Sequence, residues 1–213
     1  MAADYPKEAV GPVLAAAALI WWAEARDEET WNADTIDLLL DTAIARARAA
    51  VDSAGNDSAR AQALFWLGTA VGYRARQAEL RGSLWRAARD ARAMQQHLER
   101  ALALDSTCVD CLLGLGIYDY ALARAGALAR FVARLVGLGG GDAARALERM
   151  RTAAESGRFT RWEARWVYAN ALIREGGRDP ALREEGRRIL MDLAGQFPDN
   201  PIFRRASETT GNQ

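Results

Sequence analysis

Apolar residues recur every three to four positions along nearly the whole chain, and strict alternation is absent. That period is helical, so each apolar set lines one face of a helix. Turn-forming residues interrupt the pattern at Asp27–Asp34, Gly55–Ser58, Gly82-Ser83, Asp105–Thr107, Gly137–Asp142, Gly157 and Gly176–Pro180. The spacing predicts eight long helices, over 9–26, 34–53, 58–81, 83–104, 107–124, 142–156, 160–175 and 180–196, and a shorter one over 126–137. Residues 1–200 read as one domain and 201–213 as a C-terminal tail. Short connections imply antiparallel helix hairpins.

Start signals accompany several of these breaks. Thr160-Arg161-Trp162-Glu163 has the form of a capping box, in which Thr160 and Glu163 would satisfy each other's backbone amides. Asp179-Pro180 places a cap before a proline at the first helical position.

A repeat underlies the helices. Leu64, Leu67 and Gly68 share a bulky-x2-Leu-Gly pattern with Leu112, Leu115 and Gly116. A second pattern sets small or apolar residues four and three apart: Ala43, Ala47 and Ala50; Met94, Leu98 and Ala101; Ala146, Met150 and Ala153; and Gly186, Leu190 and Leu193, followed by Pro198. In these residues the chain resembles the tetratricopeptide family, most closely at Leu98–Asp105, and the resemblance covers most of its length. The final copy departs from it, with Ala164, Val167 and Tyr168 where the Leu-Gly pair would stand. The resemblance implies an all-α, right-handed α-solenoid of about four helix pairs, with inserts in the middle repeats. It also implies a non-enzymatic scaffold or adaptor that binds a protein or peptide on its concave face. Small residues at Gly68 and Gly116 would let neighbouring helices approach closely.

Composition supports the helical class, because Ala, Leu and Arg, all strong helix formers, dominate. Of 28 basic residues only Lys7 is a lysine, a bias that fits a bacterial genome rich in G and C. The formal net charge is zero, which argues against general nucleic-acid affinity. The charge is uneven, however. Residues 1–41 hold nine acids against Lys7 and Arg26, and arginines cluster at 74–92 and again at Arg124, Arg130 and Arg134. The apolar run Val13–Trp22 is ten residues long, too short to span a bilayer. The start carries Asp4 and Glu8 against Lys7, the wrong charge for a signal peptide. The chain therefore reads as cytoplasmic, or as an exported protein without its leader.

No group of residues suggests catalysis, a metal site or a cofactor. Cys108-x2-Cys111 reads first as small packing residues at a helix start and second as a reversible disulfide; the two cysteines and His97 fall short of a zinc set. The glycines of 137–141 follow a helix and lack the Lys-Ser/Thr ending of a phosphate loop. Tyr73, Arg74, Tyr118 and Tyr120 are the candidate partner-binding residues, on or near the helices that line the concave face in the family. Val10–Ala23 is apolar all round, which requires cover on more than one side. One source of cover is the neighbouring helix pair of the same chain; the other is a second copy of the chain. Trp21 and Trp22 would then meet Ile202 and Phe203 of the next copy, the acidic first third facing a basic region, in a ring or filament. Binding of an anion or nucleic acid through the arginine-rich inserts is the third reading.

Overall fold

The structure, a computed structural model, describes residues 8–28, 30–177 and 179–211. Asp4, Lys7 and Glu29, part of the charge pattern above, lie outside them. Among the described residues there are ten helices and no strand: α1 (Val10–Ala25), α2 (Ala33–Ser53), α3 (Asp57–Leu80), α4 (Leu84–Leu104), α5 (Cys111–Arg124), α6 (Ala127–Leu135), α7 (Ala143–Ser156), α8 (Arg161–Glu175), α9 (Pro180–Gln196) and α10 (Pro201–Gly211). Most helices pack on their neighbours in the chain. The exception is α6, since α5 packs directly on α7 while α6 leans on α4.

Three features differ from the sequence reading. Helix α5 starts at Cys111 rather than near 107. Asp105 folds the preceding residues into a turn by accepting from the amide and hydroxyl of Thr107, at 2.9 and 2.6 Å. Inserts were expected in both middle pairs, yet only α6 and its glycine connector form one; α3 and α4 are separated by three residues, 81–83. The segment read as a tail is helix α10. Asn200 caps it, accepting from the amides of Ile202 and Phe203 at 3.0 and 3.3 Å.

Helix α4 shows how the pattern becomes a core. Its buried residues Asp90, Met94, Leu98 and Ala101 lie four, four and three apart, one stripe on one face. Helix α3 is buried on most sides, from Ala61 to Ala78, because α2 and α4 flank it and α1 and α5 touch it. The expected close approaches are present. A Cβ on Gly116 of α5 would stand 2.9 Å from Met150 Cγ and 3.1 Å from the Ala146 carbonyl oxygen of α7. Backbone cannot yield as a side-chain tip can. Gly116→Leu should therefore lower stability by about 1–3 kcal/mol, and an unchanged denaturant midpoint would show that α5 and α7 do not meet there.

Cys108 and Cys111 form a disulfide, with an S–S distance of 2.00 Å. Cys111 is fully buried in the core shared by α3 and α4. The packing role and the disulfide, weighed as alternatives, coexist here. The bridge closes a loop only three residues apart in sequence, so its removal should cost about 2 kcal/mol on chain-entropy grounds. Thermal unfolding with and without reductant measures that difference.

The acidic first third faces arginines of the same chain. Arg81 holds Asp37 at 2.6 and 3.0 Å, and Arg76 holds Glu24 at 3.0 Å. Arg74 grips Asp90 with two bonds of 2.9 Å and reaches Asp41 at 3.5 Å. At the far end, Arg205 of α10 bonds Asp27 at 3.0 Å and the Glu24 carbonyl at 3.2 Å. Most of these pairs are solvated and contribute little individually. Together they pair much of the acidic first third with arginines of its own chain.

Candidate functional site

Helices α1 and α3 each turn four residues to one side at the same spacing: Val13, Leu14, Ala17 and Trp21 on α1, and Phe65, Trp66, Thr69 and Tyr73 on α3. Offsets of one, four and eight residues fall within an arc of about 100°, one side of a helix. Between these faces lies a cavity of about 320 Å³. The turn before α8 adds Phe159 and Thr160, α8 adds Trp162 and Glu163, and the α9–α10 junction closes it with Phe197, Asn200 and Phe203. Eight of these lining residues are aromatic. One cluster joins Phe65, Trp66 and Phe159, with Trp66 and Phe159 centroids 5.0 Å apart. Another runs from Trp162 through Phe197 to Phe203 and Trp21, at 5.0, 5.9 and 5.9 Å. Phe159, Trp162 and Leu14, 43%, 40% and 37% exposed, place the mouth.

Among the described residues one carboxyl group lines this cavity. Glu163 Oε2 accepts a 2.6 Å hydrogen bond from the Tyr73 hydroxyl, 90 residues away in sequence. Burial pushes the Glu163 carboxyl above its ordinary range; the Tyr73 bond and the nearby Arg76 charge pull the other way, and Glu24 adds to the rise. Tyr73 is raised well above its usual value by burial first, then by the Glu163 charge and hydrogen bond. Arg76 itself does not line the cavity. Among the described residues no arginine, lysine or histidine does.

The capping box foreseen at the start of α8 is not made. Thr160 gives no capping bond to the helix. Its hydroxyl instead donates to Asp110 Oδ1 at 2.8 Å, and Asp110 also accepts from the amides of Phe159 and Thr160. Glu163 is thus free to turn inward. The sequence offered it as a cap, and nothing local distinguishes a capping glutamate from one that reaches across the fold.

The four candidate partner-binding residues do not form one site. Tyr73 lines the cavity. Arg74 is held by Asp90 and Asp41. Tyr118 and Tyr120 line a separate, larger depression of about 630 Å³ bordered by α3 to α8, where Tyr120 bonds Glu175 at 2.9 Å. The residues assigned to self-association also divide. Trp21 packs on Phe203 and on Trp166 within the chain. Ile202 and Phe203 are buried, and Trp22 is 54% exposed. Helix α1 therefore receives cover from α2, α3 and α10 of its own chain. Unread in the sequence were Phe65, Phe159, Phe197 and Glu163 as neighbours, although the shared spacing on α1 and α3 was visible.

His97 is half-buried with its Nδ1 unpartnered, and burial, then Arg100 and Arg48, lower its pKa. Among the described residues no three His, Cys, Asp or Glu side chains gather as a metal site. No helix there is long and apolar enough to cross a membrane. No protein-family model matches the chain, and neither a curated protein nor a solved structure matches it.

Proposed function

We propose that the chain is a non-enzymatic, tetratricopeptide-like scaffold, an α-solenoid of about four helix pairs that holds a protein partner at the aromatic cavity. The observation that supports this reading is the cavity itself. The fold gathers eight aromatic residues around a space their own side chains leave open, and the space has a mouth. Aromatic side chains in a pocket are the usual anchors of a binding surface, because each removes a large apolar area from water at small entropic cost. The volume suits one inserted side chain or small group. The test uses the full chain as bait in a native extract beside a Phe159→Ala/Trp162→Ala variant. Both residues are exposed at the mouth, so the fold should survive their loss. A partner retained by the native chain and lost by the variant supports the reading; equal retention places binding elsewhere.

One feature favours self-association as a second reading. Leu128, Phe131 and Leu135 of α6 share a face and are 65%, 57% and 57% exposed. Sedimentation over a range of concentrations tests it: Phe131→Ser should abolish any oligomer formed through this face.

A further inference from the structure

We propose that the guest of the aromatic cavity is a single ammonium group carried on an apolar stem, held by the ring faces and by the Glu163 carboxylate. This rests on the reading that the cavity is a binding site, and it names the chemistry of what enters.

Three observations converge. The rings of Trp21, Trp66, Phe159 and Trp162 border one space, and ring faces attract cations through their quadrupoles. The rings at the mouth already do so on the outside: the Arg158 guanidinium lies 5.1 Å from the centroid of Phe159, and those of Arg161 and Arg165 lie 5.7 and 5.6 Å from that of Trp162. Inside, the one carboxyl group faces no basic residue of the lining. An apolar cavity whose single charge is negative is completed by one positive charge, which offsets the part of the burial cost that the Tyr73 hydrogen bond and the Arg76 charge leave. Arg165 is paired with Asp192, but Arg158 and Arg161 add positive charge at the rim, so a guest with several ammonium groups is disfavoured.

The groups facing Glu163 are Tyr73 and Arg76 of α3 and Glu24 of α1. Its carboxyl is raised by burial, so part of the empty protein holds it neutral above the ordinary glutamate range. A cation needs the ionised form. Binding should therefore tighten as pH climbs through that raised pKa and level off above it.

The shared chemistry has two sources, a free small amine and a lysine side chain of a partner protein. The test follows quenching of the cavity tryptophans, with calorimetry, in the full-length chain. Choline, its uncharged isostere dimethylbutanol, spermidine and a short peptide with one lysine are each titrated. Choline or the lysine peptide should bind about ten-fold more tightly than dimethylbutanol, the scale of a desolvated cation–aromatic contact. The tighter of the two cations identifies the source. Spermidine should bind no better than choline. Glu163→Gln should erase the pH dependence and reduce the preference over dimethylbutanol to the share that the rings supply, while melting no lower than the native chain. Equal binding of choline and dimethylbutanol would overturn the ammonium assignment and leave the cavity as an apolar docking point. Failure of every probe, with partner capture insensitive to Phe159→Ala/Trp162→Ala, would remove the binding-site reading as well.

Discussion

Leu98→Ala should destabilise the protein by about 3–4 kcal/mol, within the range for emptying a buried leucine site. Leu98 is 2% exposed and stands where three helices meet. Its Cδ2 would lie 2.7 Å from a Cβ on Gly68 of α3, and its Cδ1 would lie 2.5 Å from a Cβ on Gly114 of α5. Two glycines thus make the hole that one leucine fills. The consequence is a change of sign. In the native chain Gly68→Ala collides with Leu98 and should be destabilising. In the Leu98→Ala background the collision is gone. The added methyl then fills part of the void, and alanine gains about 1 kcal/mol of helix propensity over glycine. The same Gly68→Ala should therefore be stabilising there. A denaturant double-mutant cycle reads this directly. Simple additivity of the two changes would mean that α3 and α4 are not packed in this register.

Helical periodicity made the helices legible, and Gly68 and Gly116 were legible as contacts because a glycine within an apolar helical stripe has few other reasons to be there. What stayed hidden depends on chain segments far apart. Glu163 sits three residues after Thr160, so its local pattern is a capping box; its actual partner, Tyr73, is on α3. The aromatic residues of 159–203 come from four elements, and each alone resembles an ordinary core or surface residue. Helix α10 was hidden for another reason. Its apolar signal is the pair Ile202-Phe203, too short to show a period, and a helix of this length is stable through packing rather than propensity. The division of acids and arginines between the first third and α3 was readable. That the two would pair within one chain was not, because sequence carries no information on whether a complementary surface belongs to the same molecule.

Phe203→Ala addresses that ambiguity, and its expected cost is about 3–5 kcal/mol, the range for truncating a buried phenylalanine. Phe203 is 4% exposed, with ring centroids 5.9 Å from Trp21 of α1, 5.5 Å from Trp166 of α8 and 5.9 Å from Phe197. Its ring therefore ties the last helix to the first, and Ile202 and the Arg205–Asp27 pair reinforce the closure. Truncation should loosen α10, expose the apolar side of α1 and widen the cavity. If the closure is intramolecular, the melting temperature of the native chain is independent of protein concentration, and Phe203→Ala lowers it equally at every concentration. If α10 instead crossed to a second copy, association would contribute to stability and the native melting temperature would climb with concentration. That climb, if it persists in a Phe131→Ser background that removes association through α6, would refute the closed arrangement of α1 and α10, as would a Phe203→Ala variant as stable as the native chain. A Phe203→Leu variant separates lost apolar volume from lost ring contacts. It should recover most of the stability while weakening the aromatic edge of the cavity, so its melting temperature and its quenching by choline should move apart.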